Sequence, residues 1–126
     1  MRTFTRYYLP VVLWLLFIFV SSYLLKDNSI GRSFMHIDKV VHFFEFGILG
    51  FLFVRALYYS SKIREIFRAA LISFGVTVFI AGFDELHQIY VPFRTASFFD
   101  FVSDLSGILA ALIVFWFIVR KTNILE

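Results

Sequence analysis

Four apolar runs, separated by short polar stretches, take up most of this 126-residue chain. A helix rises about 1.5 Å per residue, so about twenty residues cross the roughly 30 Å hydrocarbon layer of a bilayer. Each apolar run therefore reads as a spanning helix. The expected spans are about 7–25, 40–59, 69–90 and 101–119, an all-α integral membrane four-helix bundle forming a single domain over 1–126. Hydrophobic residues make up 60% of the chain and the mean hydropathy is +0.84, well above the composition of a soluble domain. The first run is longer than a signal-peptide core, and Ser21-Ser22-Tyr23 lacks a small-x-small cleavage pattern, so it is expected to stay as a span. There is no cysteine, which excludes disulfides, thiolate metal ligands and thiol nucleophiles.

Lysine and arginine set the expected orientation, because cytoplasmic segments carry their excess. Arg2, Arg6, Arg55, Lys62, Arg64, Arg68, Arg120 and Lys121 fall on one side, against Lys26, Arg32, Lys39 and Arg94 on the other. Both termini are therefore expected in the cytoplasm. Tyr7, Tyr8, Tyr58, Tyr59 and Trp116 at inner ends, and Tyr23 and Tyr90 at outer ends, agree with an interfacial aromatic belt. The net charge of +3 follows this topology, and nothing points to nucleic acid. The acids lie in the opposite sense: Asp27, Asp38, Glu45, Asp84, Glu85, Asp100 and Asp104 outside, only Glu65 and Glu126 inside. Insertion rules do little to place carboxylates, so this concentration needs another cause.

Asp38, His42 and Glu45 are spaced i, i+4, i+7 and share one helical face. Asp84 and Gln88 are i, i+4 with His87 at i+3, while Glu85 points to a neighbouring face; Asp100 and Asp104 are again i, i+4. Three helices thus carry polar stripes at the same end. Ionisable residues at membrane depth face the bundle interior or a wet cavity, so a polar pocket opening outward is expected. Asp38 and Asp100 equally suit helix N-termini, and a hydrogen-bonded network that only holds helices together is the structural alternative for the remaining acids. His36 is expected in a loop. Gly47 and Gly50, Gly75 and Gly82, and Gly107 with Ala111 fit close helix packing, although glycine is common in membrane helices in any case.

Asp38-Lys39 with His42-Phe43 and Gly47, then Asp84-Glu85 with Gln88, Pro92, Arg94, Asp100 and Gly107, resembles the VanZ-like family of small bacterial membrane proteins. The resemblance spans roughly residues 38–112, with the first span as the usual preceding helix. It implies a multi-pass protein of the bacterial cytoplasmic membrane. The family is named for a protein that accompanies glycopeptide resistance and lowers susceptibility to teicoplanin, and the resemblance implies no particular reaction. Asp104 departs from it, standing where many members are expected to have asparagine.

Three functions are open to such a chain. The first is a cell-envelope module whose pocket binds a polar head group: a lipid-linked wall precursor, a phospholipid or a lipid-bearing antibiotic. Asp38, Lys39, His42, Glu45, His87, Gln88, Arg94, Asp100 and Asp104 would be the ligand-binding residues, with Arg94 and Lys39 on phosphate or carboxylate. The second is a membrane-embedded hydrolase or transferase at the outer leaflet, with Asp84 or Glu85 as general base and His42 or His87 as acid or metal ligand. Carboxylates with two histidines suit a divalent metal, but the contiguous spacing of common zinc motifs is absent. No serine elbow, His-Glu-x-x-His or phosphate-binding glycine loop is present. The third is an ion or proton path, disfavoured because stretches such as 108–117 offer no polar continuation inward. Oligomeric state is not legible.

Overall fold

The computed structural model describes residues 2–24, 35–60, 63, 65–90 and 97–124. They form four helices: α1 (Leu9–Leu24), α2 (Met35–Ser60), α3 (Ile66–Tyr90) and α4 (Phe98–Ile124). Each is long and apolar enough to cross a membrane, over Phe4–Ser22, Ile37–Ser60, Ile66–Tyr90 and Phe98–Thr122. Four spanning helices are present as expected, each starting about three residues before the expected bound. Asp38 and Asp100 consequently lie in first helical turns rather than at caps, where a carboxylate suits the positive end of the helix dipole. The backbone of His36, expected in a loop, belongs to α2.

A π-helical stretch, Phe4–Tyr8, leads into α1, with the Leu9 N–H bonded to the Phe4 carbonyl. Pro10 explains the widened turn: it has no N–H to donate, and its ring crowds the carbonyl four residues back.

The molecule is apolar outside and polar within. Leu13, Leu16, Phe67, Leu71, Phe79 and Phe117 are exposed, whereas Ser73, Thr77, Asp84, Gln88 and Asp104 are among the most deeply buried side chains. That inversion suits lipid as the surrounding solvent, because an outer apolar surface costs nothing there and polar groups find partners only inside.

α2 is the central helix, touching the other three, and its most extensive contact is with α4. These two run parallel, as the successive pairs Lys39–Asp100, His42–Asp104 and Phe51–Phe115 require. Their backbones meet at Gly107. A Cβ there would overlap the carbonyl oxygen of Phe43 and stand 3.1 Å from the Gly47 nitrogen, and a Cβ on Gly47 would stand 3.2 Å from the Gly107 oxygen. Only glycine permits this approach. Gly75 differs: nothing lies within 4 Å of a Cβ built on it, and Gly82 meets only the Phe101 ring at 3.9 Å. The buried face of α3 is instead Ala69, Ser73, Thr77 and Ala81, small residues four apart, continuing into Glu85. Ser73 reaches the Gly50 carbonyl from it at 3.3 Å.

At the far end from the acids, aromatic and basic groups meet. Tyr7 stacks on Tyr59 (6.1 Å), and the Arg55 guanidinium lies 5.1 Å from the Tyr7 ring, within cation–π range. Arg55 thereby keeps its charge at the helix ends, as a snorkelling residue does.

Candidate functional site

Antiparallel and parallel crossings bring one end of every helix together: the close of α1 and α3, the start of α2 and α4. Lys39 and His42 of α2 face α4. Lys39 Nζ donates to Asp100 Oδ1 at 2.9 Å, and His42 Nδ1 lies 3.0 Å from Asp104 Oδ1, a bond in which the imidazole donates to the carboxylate. The second pair is fully enclosed, with side chains 4% and 0% exposed, whereas the Lys39 side chain is 30% exposed.

On α3, Gln88 Nε2 donates to Asp84 Oδ2 at 2.8 Å, the i, i+4 pair expected of a single face. Glu85 turns toward the start of α4, where its Oε2 accepts the Ser97 N–H at 2.9 Å. Ser97 is also where α4 begins, its carbonyl taking the Asp100 and Phe101 N–H groups. The carboxylate thus sits where the helix dipole favours negative charge.

Glu45 shares the stripe of Asp38 and His42 but serves α1. Ser21 Oγ donates to Glu45 Oε1 at 2.7 Å, and the Trp14 indole N–H donates to the Glu45 carbonyl at 2.8 Å. Trp14 and Ser21 were not singled out in the sequence. Their spacing of seven residues, two turns of one face, is the signal that carried them. His87 also looks toward α1, its ring edge-on to Phe19 at 5.9 Å. Arg94 and Pro92 lie outside the described residues.

Among the described residues five buried side-chain atoms have no hydrogen-bond partner: Ser22 Oγ, Asp84 Oδ1, Glu85 Oε1, His87 Nδ1 and Asp104 Oδ2. All belong to this end of the bundle. Three of them are carboxylate oxygens, each on a residue whose other oxygen is held by a defined donor. A buried carboxylate oxygen without a donor is costly, so these three call for a proton, a cation or a donor from a ligand. Among the described residues, two sets of side chains have ligand atoms mutually within 4.8 Å and so fit a metal by geometry: His42, Glu85 and Asp104, all buried, and Asp38, His42 and Asp100. In the second set Asp100 already has the Lys39 ammonium as its counter-charge.

A groove of about 280 Å³ runs beside this cluster between α3 and α4, lined by Gly82, Glu85, Leu86, Ile89, Ser97, Phe98 and Phe101. Leu86, Ile89 and Phe98 are each more than half exposed, so the groove opens on the apolar exterior while Glu85 forms part of its wall.

No curated protein and no solved structure matches this chain. A family model does, VanZ/LLP1, over residues 3–120, taking in the first helix as well as the 38–112 region. This helical membrane bundle, with its polar groups gathered at one end, belongs to the VanZ/LLP1 family.

Proposed function

We propose that this chain is a cell-envelope protein of the bacterial cytoplasmic membrane, with both termini in the cytoplasm, whose polar end faces outward and binds the head group of an amphiphile. The observation that carries this is the groove between α3 and α4: its walls are apolar and exposed where lipid would be, and a buried carboxylate stands among them. An acyl or prenyl chain would lie along Leu86, Ile89, Phe98 and Phe101, and the head group would meet Glu85 and, beyond it, Asp84 and Asp104. A lipid-linked wall precursor or a lipid-bearing glycopeptide such as teicoplanin has this two-part chemistry, and the family resemblance favours that class. Lys39 is committed to Asp100, so the contacts expected of the carboxylates are to hydroxyls, amines or a bridging cation.

Catalysis on such a substrate is the second possibility, favoured by one feature. A general base needs an oxygen free to take a proton, and Asp84 Oδ1 and Glu85 Oε1 are both without partners. The amide variants separate the two functions. D84N or E85Q abolishes turnover by an enzyme, whereas a binding site keeps partial affinity.

The binding function is tested by native mass spectrometry of the protein purified from its own membranes. Retained amphiphile is expected, and Gly82→Leu, which fills the groove, is expected to lower it several-fold with little loss of folded protein. Equal retention by Gly82→Leu and the unchanged chain would sink the groove as a binding site. Orientation is checked separately: the chain has no cysteine, so Ser97→Cys provides one thiol, expected to react with an impermeant maleimide from outside intact cells.

A further inference from the structure

We infer that His42, Glu85 and Asp104 form a zinc site. Three helices, α2, α3 and α4, each contribute one buried ligand, and the three ligand atoms already lie within 4.8 Å of one another. Ligand atoms on a tetrahedral zinc stand roughly 3.4 Å apart, given metal–ligand bonds of about 2.0–2.2 Å. Closing the set therefore needs shifts of at most about 1.5 Å, within reach of side-chain torsions. His42 Nδ1 and Asp104 Oδ1, at 3.0 Å, are close to that separation now; the ion would take the place of the proton between them.

A second, independent feature points to a ligand. Glu85 and Asp104 each have one oxygen committed to a protein donor, Ser97 N–H and His42 respectively, and one buried oxygen with no partner. Glu85 is 9% exposed and Asp104 0%. For Glu85, one oxygen held by a backbone N–H while the other stays free is how a supporting hydrogen bond orients a metal-binding carboxylate; for Asp104 the proton from His42 is the one the ion replaces, which leaves both its oxygens to the ion. An imidazole with two carboxylates suits zinc, whereas magnesium and calcium take oxygen ligands alone. Asp38 and Asp100 form the rival set with the same histidine, but the Lys39 ammonium 2.9 Å from Asp100 repels a cation there. Three protein ligands leave one position open, as catalytic zinc sites do. Glu85, one of the three ligands, also lines the groove.

The test uses the full chain without a polyhistidine tag, purified in detergent, stripped with a chelator and titrated with zinc alone. One zinc per chain is expected by elemental analysis. Affinity should fall at least about tenfold in His42→Ala, Glu85→Gln and Asp104→Asn, stay unchanged in Asp38→Asn, and weaken as pH falls because protons compete for the ligands. No stoichiometric zinc, or a loss in Asp38→Asn with none in Glu85→Gln, would overturn the assignment. Should a variant fail to fold, cobalt substitution of the unaltered chain decides. An intense tetrahedral visible spectrum supports the site, and the weak spectrum of an octahedral ion refutes it. No lipid enters these measurements, so the zinc site and the amphiphile groove stand or fall separately.

Discussion

Helix α4 has two seams held in different ways. Against α2 the backbones themselves touch: glycines bring them into contact at Gly47 and Gly107, Lys39–Asp100 and His42–Asp104 pair across the interface above them, and the groove of about 280 Å³ that runs along this seam is lined by apolar residues alone. Against α3 the groove has a carboxylate in its wall: Glu85 holds the start of α4 through the Ser97 N–H while its other oxygen has no partner. One helix is thus anchored by backbone contact and polar pairs on one side, and on the other borders a groove with a carboxylate in its wall. In lipid, with no hydrophobic force between helices, close backbone packing and buried polar pairs supply the attachment. The anchored seam can therefore bear the cost of an under-satisfied cluster beside it.

The sharpest way to break this contrast is Gly107→Ala. Its Cβ would meet the Phe43 carbonyl, a backbone atom with no flexible retreat, so the helices have to part. Destabilisation of about 3 kcal/mol is expected, read as thermal unfolding in detergent; an unchanged melting temperature would mean that the two helices do not meet this closely. His42→Ala strands a buried carboxylate and should cost about 2 kcal/mol, between the values for membrane-helix hydrogen bonds and for broken buried ion pairs. In the same melting series Lys39→Ala should cost about 1 kcal/mol or less, because its ammonium is partly solvated. If Lys39→Ala proves worse than His42→Ala, the anchor sits at the mouth of the seam rather than in its interior. The smallest effect belongs to Gly75→Ala, which points into open space and should fall within about 0.5 kcal/mol of the unchanged chain. A large loss there would reveal a partner covering the outer face of α3.

Much of this was legible before any fold was known. The four spans and the gathering of acids at one end follow from hydropathy and from helical spacing, both properties of neighbouring residues. The pair Asp84 and Gln88 was readable for the same reason. Glu45 was less so: spacing grouped it with His42, yet it bonds Ser21 and Trp14 on α1. Residues on one stripe can fan out to different neighbours when the helix is central, and no local pattern says that α2 is. Gly75 and Gly82 carried the same compositional signal as Gly47 and Gly107 without the close contact, while the repeating Ala69, Ser73, Thr77 and Ala81 carried the packing face of α3. A glycine marks a place where backbones can meet. Whether they do depends on which way the helix is turned.

From its sequence alone this chain was destined to be a helical membrane bundle with one polar end, because the length of an apolar run and the period of a helix dictate what lipid accepts. The tertiary structure decided the partners. It chose Asp104 for His42 and Asp100 for Lys39, sent Glu45 to α1, and left one oxygen each of Asp84, Glu85 and Asp104 without a donor. Those choices depend on helix order, rotation and the depth of approach that Gly107 permits, quantities set between segments distant in sequence.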